Sequence, residues 1–72
     1  MASEPFTLDN SSNLAGGEYD ATTRTLMLTF RNGVSYIYTD VDPWKVAGLK
    51  MDPSPGSYAN RHIYKQHTGR KL

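Results

Sequence analysis

The stretch FRNGVSYIYTDVDPW, residues 30–44, holds the end of one alternating segment, a turn, a second alternating segment and a helix start. Tyr36 and Tyr38 stand two apart, so in a strand they share one face. Which face they share depends on the turn. If Asn32 and Gly33 form a two-residue type I′ loop, Arg31 pairs with Val34 and Leu28 with Ile37, and the tyrosines lie beside threonines. If Arg31, Asn32 and Gly33 form a three-residue loop with Gly33 left-handed, Phe30 pairs with Val34 and Leu28 with Tyr36. A slip of one residue moves every side chain to the other face. The three-residue loop gathers Leu26, Leu28, Phe30, Val34, Tyr36 and Tyr38 on one side and leaves Thr25, Thr29, Ser35 and Thr39 mostly on the other. Burying one apolar face is the cheaper arrangement, so the tyrosines read as core with their hydroxyls at the rim. The other register exposes them as a stacking platform.

Upstream, TLMLTF (25–30) alternates as a strand should, with Leu26, Leu28 and Phe30 facing one way. DATTR (20–24) is turn chemistry built on Asp20 and the threonines. NLAGGEYD (13–20) reads as a third strand, in which Gly16-Gly17 permits a bulge or a close backbone approach. Residues 1–10 read as a mobile N-terminal segment with Phe6 as its one anchor.

Downstream, DPWKVAGLKM (42–51) predicts a short helix with Asp42 as N-cap and Pro43 at the first helical position. Val46 and Leu49 give it a narrow apolar stripe, and Trp44 is left to close one end of the core. DPSPGS (52–57) breaks it. SYANRHIYKQH (57–67) predicts a second short helix capped by Ser57, with Ala59 and Ile63 inward and Arg61, Tyr64 and Lys65 on a shared outer face. Residues 68–72 form a basic tail. The expected fold is α+β: a small antiparallel three-stranded β-meander, packed by one or two short C-terminal helices, in a single domain over residues 11–67.

The 72 residues allow one thin core, since a domain of this size buries only roughly 60% of the surface its unfolded chain exposes. Cysteine is absent, which excludes disulfides and thiolate chemistry. The opening residues lack the apolar run of a signal peptide and no segment reaches the length of a bilayer span, so a cytoplasmic protein away from membranes is expected. The net charge of +1 hides an asymmetry. Residues 1–30 carry Glu4, Asp9, Glu18 and Asp20 against Arg24, a sum of −3. Residues 61–72 carry Arg61, Lys65, Arg70 and Lys71 without an acid, a sum of +4.

The ordered set Ser11-Ser12, Tyr19-Asp20, Leu26-x-Leu28-x-Phe30, Gly33, Tyr36-x-Tyr38 and Val41, followed by Ser54-x-Gly56-x-Tyr58-x-Asn60-x-x-Ile63, resembles the KTSC domain. That module occurs at the C-terminus of some lysyl-tRNA synthetases and as small stand-alone proteins of bacteria and phages. The likeness runs from Ser11 to about Tyr64. Departures are Asp42 where the family usually has proline, Asp52 where alanine is common, and Tyr64 where a basic residue usually follows the isoleucine. The resemblance implies a small α+β fold without known catalysis, in a family for which RNA binding has been proposed.

The residues themselves favour binding over catalysis. The serines cluster in turn-like sequence, and His62 and His67 are five apart, which on a helix places them on different faces. No enzyme activity, metal or cofactor is expected. The first expectation is docking on a protein of the transcription or translation machinery through Glu4, Pro5, Phe6, Leu8 and Asp9, a polar segment able to order on a partner. The family's setting suggests a phage-type regulator of transcription with RNA polymerase as target. The alternative is direct RNA binding through Arg61, Tyr64, Lys65, Arg70 and Lys71, with phosphate contacts and base stacking. A monomer is expected in either case.

Overall fold

The meander extends one strand further at each end than the alternation pattern predicts. The computed structural model describes residues 3–9 and 11–72. Strands β1 (Ser3–Thr7), β2 (Leu14–Asp20), β3 (Thr25–Phe30), β4 (Ser35–Tyr38) and β5 (Arg70–Lys71) form one antiparallel sheet in the order β1-β2-β3-β4-β5. Between β4 and β5 come helix α1 (Pro43–Met51), helix α2 (Pro55–Ala59) and a π-helical turn, Asn60–Tyr64. The α+β class stands, and the strand count is corrected from three to five.

The central hairpin resolves the question of register. The Phe30 amide donates to the Val34 carbonyl at 2.8 Å, the Gly33 amide donates to the Phe30 carbonyl at 2.9 Å, and Gly33 has φ 89°. This is the three-residue loop, and Leu26 faces Tyr38 while Leu28 faces Tyr36. Tyr38 is buried and Tyr36 half-buried on the leucine face.

β1 replaces the mobile segment expected over residues 1–10; residues 1, 2 and 10 of that segment lie outside the described residues. Phe6 pairs with Gly17 and Thr7 with Gly16. A Cβ at Gly16 would overlap the Phe6 carbonyl oxygen, and one at Gly17 the Met27 carbonyl oxygen, so only glycine lets β1 and β3 close on β2. The expected irregularity is present as a register shift between Leu14 and Gly16. Leu8, at 2% exposure, enters the core directly after the strand. The basic tail is likewise a strand: Lys71 pairs with Tyr36, Arg70 with Ile37, and the Leu72 amide donates to the Ser35 carbonyl.

The core joins Leu8, Leu14, Tyr19, Leu26, Leu28 and Tyr38 of the sheet side to Val41, Val46, Leu49, Tyr58, Ala59 and Ile63. Val46 and Leu49 form the expected stripe of α1. Asp42 stands at the N-cap, but its carboxylate accepts from Arg24 Nη1 at 3.1 Å instead of capping. Trp44 does not close the core; it is 58% exposed, edge-on to His62. The second helix starts at Pro55, two residues before the predicted Ser57 cap. Among the described residues no helix is long and apolar enough to cross a membrane.

Candidate ligand groove

The helical segment was expected to show Arg61, Tyr64 and Lys65 on one outer face. The structure separates them. A π-helical turn is wider than an α-helical one, so three residues of it turn a side chain through a smaller angle. Tyr64 thereby swings off the Arg61 face and packs over the sheet, its ring 5.9 Å from Tyr38 and stacked 6.3 Å from Phe30. Phe30 also meets Tyr36 edge-on at 5.7 Å. Arg61 and Lys65 remain on the exposed surface.

These rings enclose an open groove of about 470 Å³, lined by Phe30, Val34, Tyr36, Tyr38, Tyr64 and Lys71, with Asn32 at its turn end. Tyr38 is its buried wall, whereas Phe30, Tyr36 and Tyr64 each keep part of their surface open. Burial, with the neighbouring Tyr38 phenol adding to it, pushes the Tyr64 hydroxyl up to about 12. Burial, with Tyr36 adding, also raises Tyr38. Both phenols are therefore neutral at physiological pH and can donate hydrogen bonds.

The basic set predicted from sequence is thus divided. Lys71 lines the groove because its cross-strand partner is Tyr36. Alternation sends Arg70, paired with Ile37, to the opposite face of the sheet. The predicted docking set is divided too: Leu8 is core, Phe6 is half-buried with the Lys50 ammonium 5.3 Å over its ring, and Glu4, Pro5 and Asp9 are exposed. Leu8 therefore cannot contact a partner while the domain is folded.

An internal clamp that sequence reading missed holds the groove's outer wall. Lys45, 6% exposed, donates from Nζ to Gln66 Oε1 at 2.9 Å and to His67 Nε2 at 2.8 Å. His67 Nδ1 lies 3.1 Å from the Thr39 carbonyl, which can only accept, so Nδ1 carries the proton and Nε2 is the acceptor. The clamp fixes residues 66–67 just ahead of β5, and Gly69 then passes flat against the Tyr38 ring. No spacing rule signals a lysine and a histidine 22 residues apart. His62 is engaged elsewhere, its ring tilted against Tyr58 with centroids 4.5 Å apart. Among the described residues, no group of three His, Asp or Glu side chains is placed to hold a metal ion.

Comparison with known proteins bears on this arrangement. No curated protein matches the chain. The crystal structure of a KTSC domain protein from Yersinia pestis superposes with a TM-score of 0.87 at 25% sequence identity, covering 99% of both chains. A family model, the KTSC domain, matches residues 10–67. Alternation, turn and core thus all agree with that match, and the chain belongs to the KTSC domain family.

Proposed function

We propose that the protein is a non-catalytic binding module that takes a single strand of RNA, seating a base in the aromatic groove. The observation that carries this reading is the groove itself: partly open Phe30, Tyr36 and Tyr64 rings with the Lys71 ammonium at the rim. Packed aromatics offer flat apolar faces at little cost in side-chain entropy, and stacking a base on such a face contributes about 1–3 kcal/mol. Among the described residues the one ion pair is Arg24–Asp42, so Lys71 has no carboxylate competing for it and is free to meet a phosphate. Neutral tyrosine hydroxyls supply donors to base edges.

Docking of a protein partner, RNA polymerase included, through residues 4–9 has less support. That proposal relied on a segment free to order on its target, and most of the segment is a paired strand followed directly by a core leucine. Pro5 also removes an amide from the open edge, which weakens strand addition there.

Fluorescence anisotropy with a labelled single-stranded RNA hexamer tests the RNA reading. Tyr64→Leu and Lys71→Ala should each weaken binding several-fold while far-UV circular dichroism stays native. An RNA hexamer that does not bind, or binds both variants as well as the parent, ends the proposal.

A further inference from the structure

The aromatic groove does not stop at Asn32. A smaller cleft of about 230 Å³, bounded by Ser12, Asn13, Phe30, Arg31 and Asn32, shares Phe30 and Asn32 with it. That cleft shares Ser12 and Asn13 with a third, of about 330 Å³, walled by Ser11, Ser12, Asn13, Ser54, Ser57 and Asn60. Together they form one track over the β3–β4 turn, aromatic at one end and neutral-polar at the other.

The polar end is assembled from two distant parts of the chain, and it is unusual in its hydrogen-bonding state. Ser11 Oγ accepts the Asn13 and Leu14 amides, which leaves its hydroxyl proton free to donate. Among the described residues, the side chains of Ser12, Asn13, Ser54, Ser57 and Asn60 have no internal hydrogen-bond partner. The wall is thus a set of unengaged hydroxyls and amides able both to donate and to accept, with no charge among them. Gly56 keeps the cleft open: a Cβ there would lie 3.9 Å from both Asn13 Nδ2 and Ser11 Oγ. Arg31 stands midway, with Nε and Nη2 donating to the Ser11 and Leu8 carbonyls and with no carboxylate partner among the described residues.

We infer that the Ser/Asn cleft is a second subsite on the same strand, which recognises the ribose hydroxyls of the nucleotides flanking the stacked base. The inference rests on the RNA reading above. Aromatic faces treat ribose and deoxyribose strands alike, and a lysine at the rim sees the same phosphate in both. Only a neutral donor–acceptor surface responds to a 2′-hydroxyl, which itself donates and accepts. Arg31, held rigidly between the two subsites, suits the phosphate that joins them.

The test compares labelled single-stranded hexamers of uridine and of deoxyuridine, identical except for the 2′-hydroxyl, by anisotropy on the intact chain. The expected result is tighter binding of the ribo strand by about fivefold, the worth of one neutral hydrogen bond. Ser54→Ala/Asn60→Ala, both exposed positions, should bring that ratio close to one and leave deoxyuridine affinity unchanged. Gly56→Ala should lower the ratio by narrowing the cleft. Equal binding of the two hexamers by the parent protein overturns the ribose subsite and leaves the aromatic groove standing. A ratio that survives in the double variant also overturns it, since the discrimination then arises elsewhere. If neither hexamer binds, the RNA reading itself falls and takes this inference with it.

Discussion

Single side chains decide more here than propensity does. Gly48 interrupts α1, and replacing an interior helix glycine by alanine ordinarily gains about 1 kcal/mol. In this chain a Cβ at Gly48 would overlap the Tyr58 hydroxyl and crowd its ring. Gly48→Ala should therefore destabilise the domain, by about 1–3 kcal/mol in urea unfolding, with part of the loss recovered when Tyr58 becomes phenylalanine. Tyr64 makes a second prediction at this scale. Its hydroxyl titrates near 12 in the folded state against an ordinary value of 10.0. Between those values the unfolded chain has released a proton that the folded chain retains. The stability linked to Tyr64 is complete below pH 10 and falls as pH rises towards 12. Tyrosinate absorbance should thus show a class rising well above pH 10, and Tyr64→Phe should flatten the fall in stability between pH 10 and 12. Tyr64 was legible as an aromatic between Arg61 and Lys65. Its place over the sheet was not, because the π-helical turn that directs it has no sequence period of its own.

At the scale of elements, the hairpin was readable and the outer strands were not. Asn32-Gly33 narrowed the turn to two forms, and the burial of one face chose between them. β1 carries Pro5 and Glu4 with a single half-buried ring, so neither alternation nor propensity marks it. What orders it is tertiary: the Gly16-Gly17 approach and the seat of Leu8. Leu8→Ala should cost about 2–5 kcal/mol, a large share of a small domain's stability, and urea unfolding will show it. A free leader would give no change. β5 is two basic residues long and owes its place to the Lys45–His67 clamp. His67→Ala should accelerate amide hydrogen exchange at Leu72, whose N–H bonds to the Ser35 carbonyl, and leave the β2–β3 amides protected.

For the whole molecule, the charge distribution sets how binding responds to salt. The four C-terminal cations predicted as one surface are divided, with Lys71 in the groove and Arg70 on the opposite face of the sheet, and the track from aromatic groove to polar cleft presents only Lys71 and Arg31. Two phosphate contacts on a single strand give a slope of about −1.4 in log K against log salt. A slope of about −3.5 would indicate that Arg61, Lys65 and Arg70 join the contact surface after all. The fold class was readable because every level of the sequence agreed on it. The track was not, because its walls are drawn from residues 11–13, 30–38, 53–60, 64 and 71, which only the finished topology brings side by side.

That topology has a kinetic consequence. β1, β2 and β3 each pair with the strand next in sequence, across turns of a few residues, whereas β5 reaches β4 only after the chain has run through α1, α2 and the π-helical turn. Closing a longer loop costs more entropy, so the meander and helices condense first and β5 zips on afterwards. The wall carrying Lys71 is then absent from the rate-limiting barrier. A ligand gripping that wall should lower the unfolding limb of a chevron plot and leave the refolding limb where it is.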